Sequence, residues 1–428
     1  MEHSTGLSAA ELVESLADTT RPSFLFGCTP PVLETDARAA GEIAGKFAER
    51  GRVLAIDGYI VYDVQDETSR NADKRPFPYR KLMDPATYAR LLADASHKGC
   101  IVYKVPGMCE SREAFVEWLD DCKHVHGHQA VNIVGAPSSS AELKGPSTKE
   151  ASEICTGKPG MRFGAVCIAE RHLSKGDEHV QLSKKAGWGA EWFVTQGIYE
   201  PAAMIAVIKA YAKLCADKGE APRKIILTFT PIGRKKTLEF ARWLGMNIPA
   251  AVEERIFADQ SAVKTPVPAV ELACRLLCEH LRTILDQTRF CGVPLGINVE
   301  SISGYKDEID GTHELFRNLQ AIMLDSFCRA WVIKWSRLAL PPIRPSASHK
   351  SLPDRPESPA GAQGTPCGTR SSTPVPPSRP ASALSHAATA PMASAEDLDR
   401  RNWALLATSA GLAAAVGFFA GALLSARR

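Results

Sequence analysis

The chain has no CxxC pair, although it carries twelve cysteines in 428 residues. Their spacing is irregular, and Cys100 and Cys167 lie inside apolar runs, where a thiol packs as a small hydrophobe. Reduced thiols in a reducing compartment are therefore expected rather than a disulfide framework. Basic blocks interleaved with aromatics are also missing, and the formal net charge is only +3, which argues against a nucleic-acid partner. The N-terminus opens polar and acidic (Glu2, Glu11, Glu14), so no signal or transit peptide is expected. No GxGxxG turn follows the first apolar run, and "GPSTKEASEICTGKPG" lacks P-loop spacing. What is present, 45% hydrophobic and 23% charged residues, is ordinary for a globular enzyme.

From residue 21 to about 340, apolar strand-like runs alternate with longer helical patterns. The expected strands are Ser23–Phe26, Val53–Val61, Cys100–Val105, Ala130–Val134, Phe163–Ile168, Trp192–Thr195, Ile225–Phe229 and Leu295–Val299. Helical stretches such as Asp36–Glu49, Pro85–Ser96, Arg112–Cys122, Glu178–Lys185, Pro201–Ala216 and Lys235–Leu244 separate them. A strand that returns parallel to its neighbour needs such a crossing, so the pattern reads as a parallel sheet. Eight strands suit an α/β fold of the (β/α)₈ TIM-barrel kind. A doubly wound open sheet is the alternative, weakened by the missing Gly-rich turn. Residues 1–20 read as an N-terminal extension.

Residues 341–397 change character: Pro, Ser, Ala and Thr dominate, as in "SRPASALSHAATAP". Such a segment buries too little apolar surface to offset its ordering entropy and reads as a disordered linker. Residues 398–428 follow as an expected transmembrane tail anchor. From Trp403 to Ser425 no charge interrupts about 23 residues, enough to cross a hydrocarbon core roughly 30 Å thick. Arg427 and Arg428 suit the far interface. This arrangement implies a single-pass membrane protein with its barrel in the cytosol, the mitochondrial outer membrane being one destination. Gly417 and Gly421 form a GxxxG through which two such helices would pack as a homodimer.

Four segments carry a resemblance. They are "FGCTPP" (Phe26–Pro31), "AERH" (Ala169–His172) followed by Lys185 and "GAEWFVTQGIYE" (Gly189–Glu200), "TPIGRKKTLEFARWLGMNIP" (Thr230–Pro249) and "GVPLGINVESISGYKDEID" (Gly292–Asp310). In this order they resemble methylenetetrahydrofolate reductase over roughly residues 20 to 325. The resemblance implies a flavin-dependent oxidoreductase of one-carbon metabolism. FAD would carry hydride from NAD(P)H, as co-substrate, to methylenetetrahydrofolate or a related pterin at the C-terminal mouth of the barrel, giving methyltetrahydrofolate. Gln196 matches the glutamine that hydrogen-bonds the pterin, an edge that needs donor and acceptor together. Glu170, His172 and Lys185 match positions that contact FAD.

Two positions depart from that pattern. Gly27 stands where the family has the acid that protonates folate, and Ala136, in "VNIVGAPSSS", where it has an aspartate near the flavin. Neither residue moves a proton, so another acid must serve or the reaction has changed. Asp63 and Glu67, in the acidic run "DGYIVYDVQDETSRN", and Glu300 after the last strand are the candidate catalytic residues, since strand ends supply such groups in barrels. The acidic run also reads as a solvated loop paired with Arg70, Arg75 and Arg80. His124, His126 and His128 form HxHxH without an accompanying Cys or carboxylate, and no metal site is read there. Cys274 and Cys278, in "VELACRLLCEHL", read as core. Two rivals to the reductase remain open: a catalytically altered folate- or flavin-binding barrel, and a tail-anchored adaptor without activity.

Overall fold

The computed structural model describes residues 7–67, 73–136, 141–258 and 266–339, without the side chains of 330–339. Eight strands close into a barrel: β1 (Phe24–Cys28), β2 (Gly58–Val61), β3 (Cys100–Lys104), β4 (Ala130–Ile133), β5 (Arg162–Cys167), β6 (Trp192–Gly197), β7 (Lys224–Phe229) and β8 (Leu295–Glu300). Every pairing is parallel, and β8 closes on β1 through Gly27 opposite Glu300. The TIM barrel expected from the apolar runs is thus present. β2, β4 and β7 are buried at every position, as strands covered on both faces must be.

Twelve α-helices accompany the strands among the described residues. They are α1 (Ala9–Ala17), α2 (Ala37–Gly51), α3 (Pro85–Ser96), α4 (Arg112–His124), α5 (Thr148–Thr156), α6 (Ala169–Lys175), α7 (Glu178–Gly187), α8 (Pro201–Lys218), α9 (Lys235–Trp243), α10 (Ala250–Phe257), α11 (Val267–Thr288) and α12 (Lys306–Ala339). Local chemistry sets several starts. Asp36 accepts from the Ala39 N–H, and Asp84 caps α3 ahead of Pro85. Ser147 and Glu150 form a capping box on α5. His97 ends α3 in the left-handed conformation, at φ 57°.

Two sets of side chains separate the inside of the barrel from the outside. Leu25, Ile60, Ile101, Ala130, Val194 and Ile226 pack in the lumen, while Val61, Val131, Ile133, Ile297 and Val299 join the layer under the helices. The expectation for β2 began too early. Val53 is 68% exposed, because the chain turns after α2 through Leu54 N–H to Gly51 O before the strand begins.

The segment expected as an extension contributes α1, whose Leu12, Val13 and Leu16 complete the lumen cluster. A capping box of Ser8 and Glu11 starts this helix. It sits so close that a β-carbon at Gly58 would stand 2.7 Å from Leu12 Cδ2. Lys224, 1% exposed, donates to Ser15 O of α1 at 2.7 Å and to Ser23 Oγ at 2.8 Å. Helix α1 therefore plugs the N-terminal end of the barrel. The expected linker (341–397), tail anchor (398–428) and GxxxG pair lie outside the described residues. Among the described residues no helix is long and apolar enough to cross a membrane.

Candidate functional site

Side chains alternate along a strand, so the lumen positions of β1, β2, β4, β7 and β8 extend to Gly27, Tyr62, Asn132, Thr228, Asn298 and Glu300. Glu300 and Tyr62 stand at the C-terminal mouth, the end at which (β/α)₈ enzymes place their chemistry. Glu300 keeps part of its surface accessible although protein surrounds it. Burial pushes its carboxyl from the ordinary 4.5 up to about 7, against hydrogen bonds from Tyr62 and Asn298 that favour the anion. Asn298 orients the group: its Nδ2 donates to Tyr62 Oη at 2.9 Å, to Thr228 Oγ1 at 3.3 Å and to Glu300 Oε2 at 3.4 Å. Tyr62 in turn meets Tyr103 edge-on, with ring centroids 4.7 Å apart.

The missing side chain at Gly27 acquires a physical reason here. A β-carbon at that position would stand 2.9 Å from Tyr62 Cε2 and 3.1 Å from Glu300 Oε2. The Glu300 carboxyl, entering from the neighbouring strand, thus reaches the space into which a side chain at 27 would project. A carboxyl poised near neutrality can both donate and accept a proton at physiological pH.

The other expected catalytic residues have different surroundings. Asp63 accepts from the Val105 N–H at 2.8 Å and from Gln65 Nε2 at 2.6 Å, tying the end of β2 to that of β3. Burial raises its pKa, with Lys104 opposing. Glu67 is half-buried in the following loop, and its charge acts on Arg75. Beyond it, residues 73–83 cross to other elements. Phe77 meets Phe240 of α9 edge-on at 5.1 Å, Arg75 lies over Trp243 at 5.2 Å, and Leu82 bridges to Val32. Asp63 and Glu67 therefore follow β2 at the mouth and Glu300 ends β8 there, where it joins the Tyr62–Asn298 network.

Gln196, next to last in β6, donates from Nε2 to Leu244 O at 2.7 Å, a partner in the turn after α9. Lys185, matched to FAD contacts, turns inward. Its Nζ donates to Val166 O at 2.6 Å and lies 3.8 Å from Glu178 Oε1, while Glu178 also accepts from the Ile168 N–H at 3.0 Å. Burial lowers the Lys185 pKa and raises that of Glu178, each opposed by the other's charge. Glu170 is half-buried, its carboxyl raised by burial. His172 packs edge-on against His179 at 5.2 Å, its pKa lowered by burial and by that neighbour. These residues gather beyond β5, yet the Lys185 ammonium expected to contact FAD is committed to a carbonyl and a carboxylate.

His128 is buried, with Nε2 3.0 Å from Ala86 O and its pKa lowered to about 4 by burial. No group of three or more metal-ligating side chains occurs among the described residues. Cys274 and Cys278 are buried in the core, Cys274 Sγ lying 3.6 Å from Gly311 O. Sequence reasoning missed Tyr62, Asn132 and Asn298. The available signal for the asparagines was a polar residue within an otherwise apolar strand, in "AVNIV" and "LGINVE".

No protein-family model and no curated protein matches the sequence. Among solved structures, an uncharacterised protein from Clostridium thermocellum that binds two copies of 5-methyl-5,6,7,8-tetrahydrofolic acid superposes with a TM-score of 0.59. The two share 27% identity over 73% of this chain and 99% of that one. An OMP decarboxylase from Leishmania donovani (12% identity, TM-score 0.39, 73% of this chain and 99% of that one) and a 2,3-dimethylmalate lyase (12%, 0.36, 75% and 99%) also match.

Proposed function

We propose that the barrel binds a reduced folate at its C-terminal mouth and that Glu300 exchanges a proton with the bound pterin. The observation that carries this reading is the Glu300 carboxyl. It is partly accessible, shifted to about 7, oriented by Tyr62 and Asn298, and set beside Gly27, where the reductase motif has its acid. The likeness to a protein that binds 5-methyltetrahydrofolate supports the ligand class. At neutral pH the carboxyl and carboxylate forms coexist, so the group donates to a pterin nitrogen or receives its proton without a large energetic step. Tyr62, donating to Glu300, keeps the anion from being stranded in a low-dielectric site.

The finer reading is the flavin-dependent reductase with NAD(P)H. It is supported by the ordered sequence motifs rather than by the arrangement around Lys185, where the charge is already neutralised by Glu178. FAD would supply hydride chemistry, but the residues matched to it do not form a diphosphate site as they stand, and no step is routed through it. Calorimetry with 5-methyltetrahydrofolate tests the folate reading: saturable binding that Glu300→Gln alters is expected, and no binding would overturn it. The visible spectrum of the purified full chain tests the finer one. Flavin bands support the reductase, and a colourless folate-binding protein rejects it.

A further inference from the structure

The lumen contains buried polar atoms that have no hydrogen-bond partner: Nδ2 and Oδ1 of Asn132, Oδ1 of Asn298 and Nε1 of Trp192. All three residues are fully enclosed. Asn132 lies between Tyr103 of β3 and Gly164 of β5 in the barrel register. The indole of Trp192 occupies the space over Gly164, on the side of Asn132. No protein group partners these atoms, whereas buried polar groups are ordinarily partnered. Packing offers no reason for Asn132, since Ala130, two residues earlier on the same face of β4, meets the lumen with an apolar side chain.

We infer that Asn132 and Asn298 form the recognition site for the edge of a fused pyrimidine ring, the pterin of the folate proposed above, on which this inference rests. That edge presents an amino group, a ring N–H and a carbonyl side by side, two donors and one acceptor. The Nδ2 of Asn298 is committed to Tyr62, Thr228 and Glu300, leaving its Oδ1. Asn132 leaves both ends of its amide. Together they offer two acceptors and one donor, the complement of the ring edge in number and kind. Tyr62 stands nearer the mouth with part of its surface open. Glu300 then lies beside the ring, so recognition and proton exchange share one asparagine. Gln196, whose amide nitrogen is held by Leu244 O, keeps its amide oxygen for such an edge.

The test compares Asn132→Leu and Asn132→Thr with the unaltered full chain by calorimetry. The probes are 5-methyltetrahydrofolate and p-aminobenzoylglutamate, which is the folate tail without its pterin. Both variants are expected to bind 5-methyltetrahydrofolate about tenfold or more weakly, the loss expected when a buried partner is removed. Their response to p-aminobenzoylglutamate should match that of the unaltered chain. Asn132→Leu should melt no lower than the unaltered chain, because it removes two unpartnered atoms; if it fails to fold, Asn132→Thr, which keeps a strand-forming side chain of smaller volume, decides alone. Unchanged 5-methyltetrahydrofolate affinity in a folded variant, or equal losses for both probes, would overturn the inference while leaving the folate reading intact. Absence of binding by the unaltered chain would overturn both.

Discussion

The two ends of the barrel lumen each bury a titratable side chain, and they treat it differently. At the N-terminal end Lys224 is pushed down to about 8 by burial, but both of its described partners are fixed and α1 seals it from above. At the C-terminal end Glu300 is pushed up to about 7 by burial, keeps accessible surface, and stands over unpartnered asparagine atoms. The first arrangement pairs the Lys224 ammonium and ties α1 to the barrel. The second leaves polar capacity unspent, which in a packed interior is a sign of a ligand. The fold explains this polarity, since strand ends and loops at the C-terminal face vary without disturbing the layers beneath.

The largest expected effect breaks the plug. Leu16→Ala, at a fully buried position, should lower stability by about 2–5 kcal/mol in urea denaturation. Affinity for 5-methyltetrahydrofolate should hold in the folded fraction, because the two ends are distinct; a parallel loss would show them coupled. Next comes Gly27→Glu, which restores the acid suggested by the motif. It should not rescue anything. Its side chain meets Tyr62 and Glu300, and overpacking of this kind costs about 1–3 kcal/mol before a second buried carboxyl is counted. A variant that folds as well as the parent and binds folate more tightly would contradict the assignment of that space to Glu300.

A smaller effect sharpens the contrast through pH. Lys224 has a folded pKa of about 8, below its ordinary 10.5, so its contribution to stability is full above 10.5 and is lost as pH falls through 8. Glu300 has the opposite sign: its contribution is full below 4.5 and is lost as pH rises through 7. Denaturation midpoints across both windows should therefore lose the alkaline slope in Lys224→Met and the acidic one in Glu300→Gln. A Lys224→Met variant that keeps the alkaline slope would remove Lys224 as its source.

Much of the scaffold was legible. The eight strands stand out because parallel strands covered on both faces read as continuous apolar runs, and the Pro, Ser and Asp residues at helix starts mark boundaries. Helix α1 was not legible, since a short segment rich in glutamate looks like a solvated terminus until Leu12, Val13 and Leu16 meet the lumen. Within the site, Glu300 was visible from its position at a strand end. Its link to Gly27 was not, because that depends on the register between the first and last strands. The inward turn of Lys185 was equally hidden, as a lysine on an amphipathic helix has the same sequence pattern whether it faces a ligand or a buried glutamate. Asn132 carried a readable signal, a polar residue among aliphatic neighbours, whose meaning required knowing that its face of β4 is the lumen.

The central claim is that the Glu300 carboxyl exchanges a proton with folate bound at the mouth. Its most direct test is the pH dependence of 5-methyltetrahydrofolate affinity, measured by calorimetry on both sides of about 7 for the unaltered chain and for Glu300→Gln. The account predicts affinity that changes as pH passes through about 7 in the unaltered chain and a profile without that inflection in the variant. An inflection that persists in Glu300→Gln, or a flat profile in the unaltered chain, would contradict it.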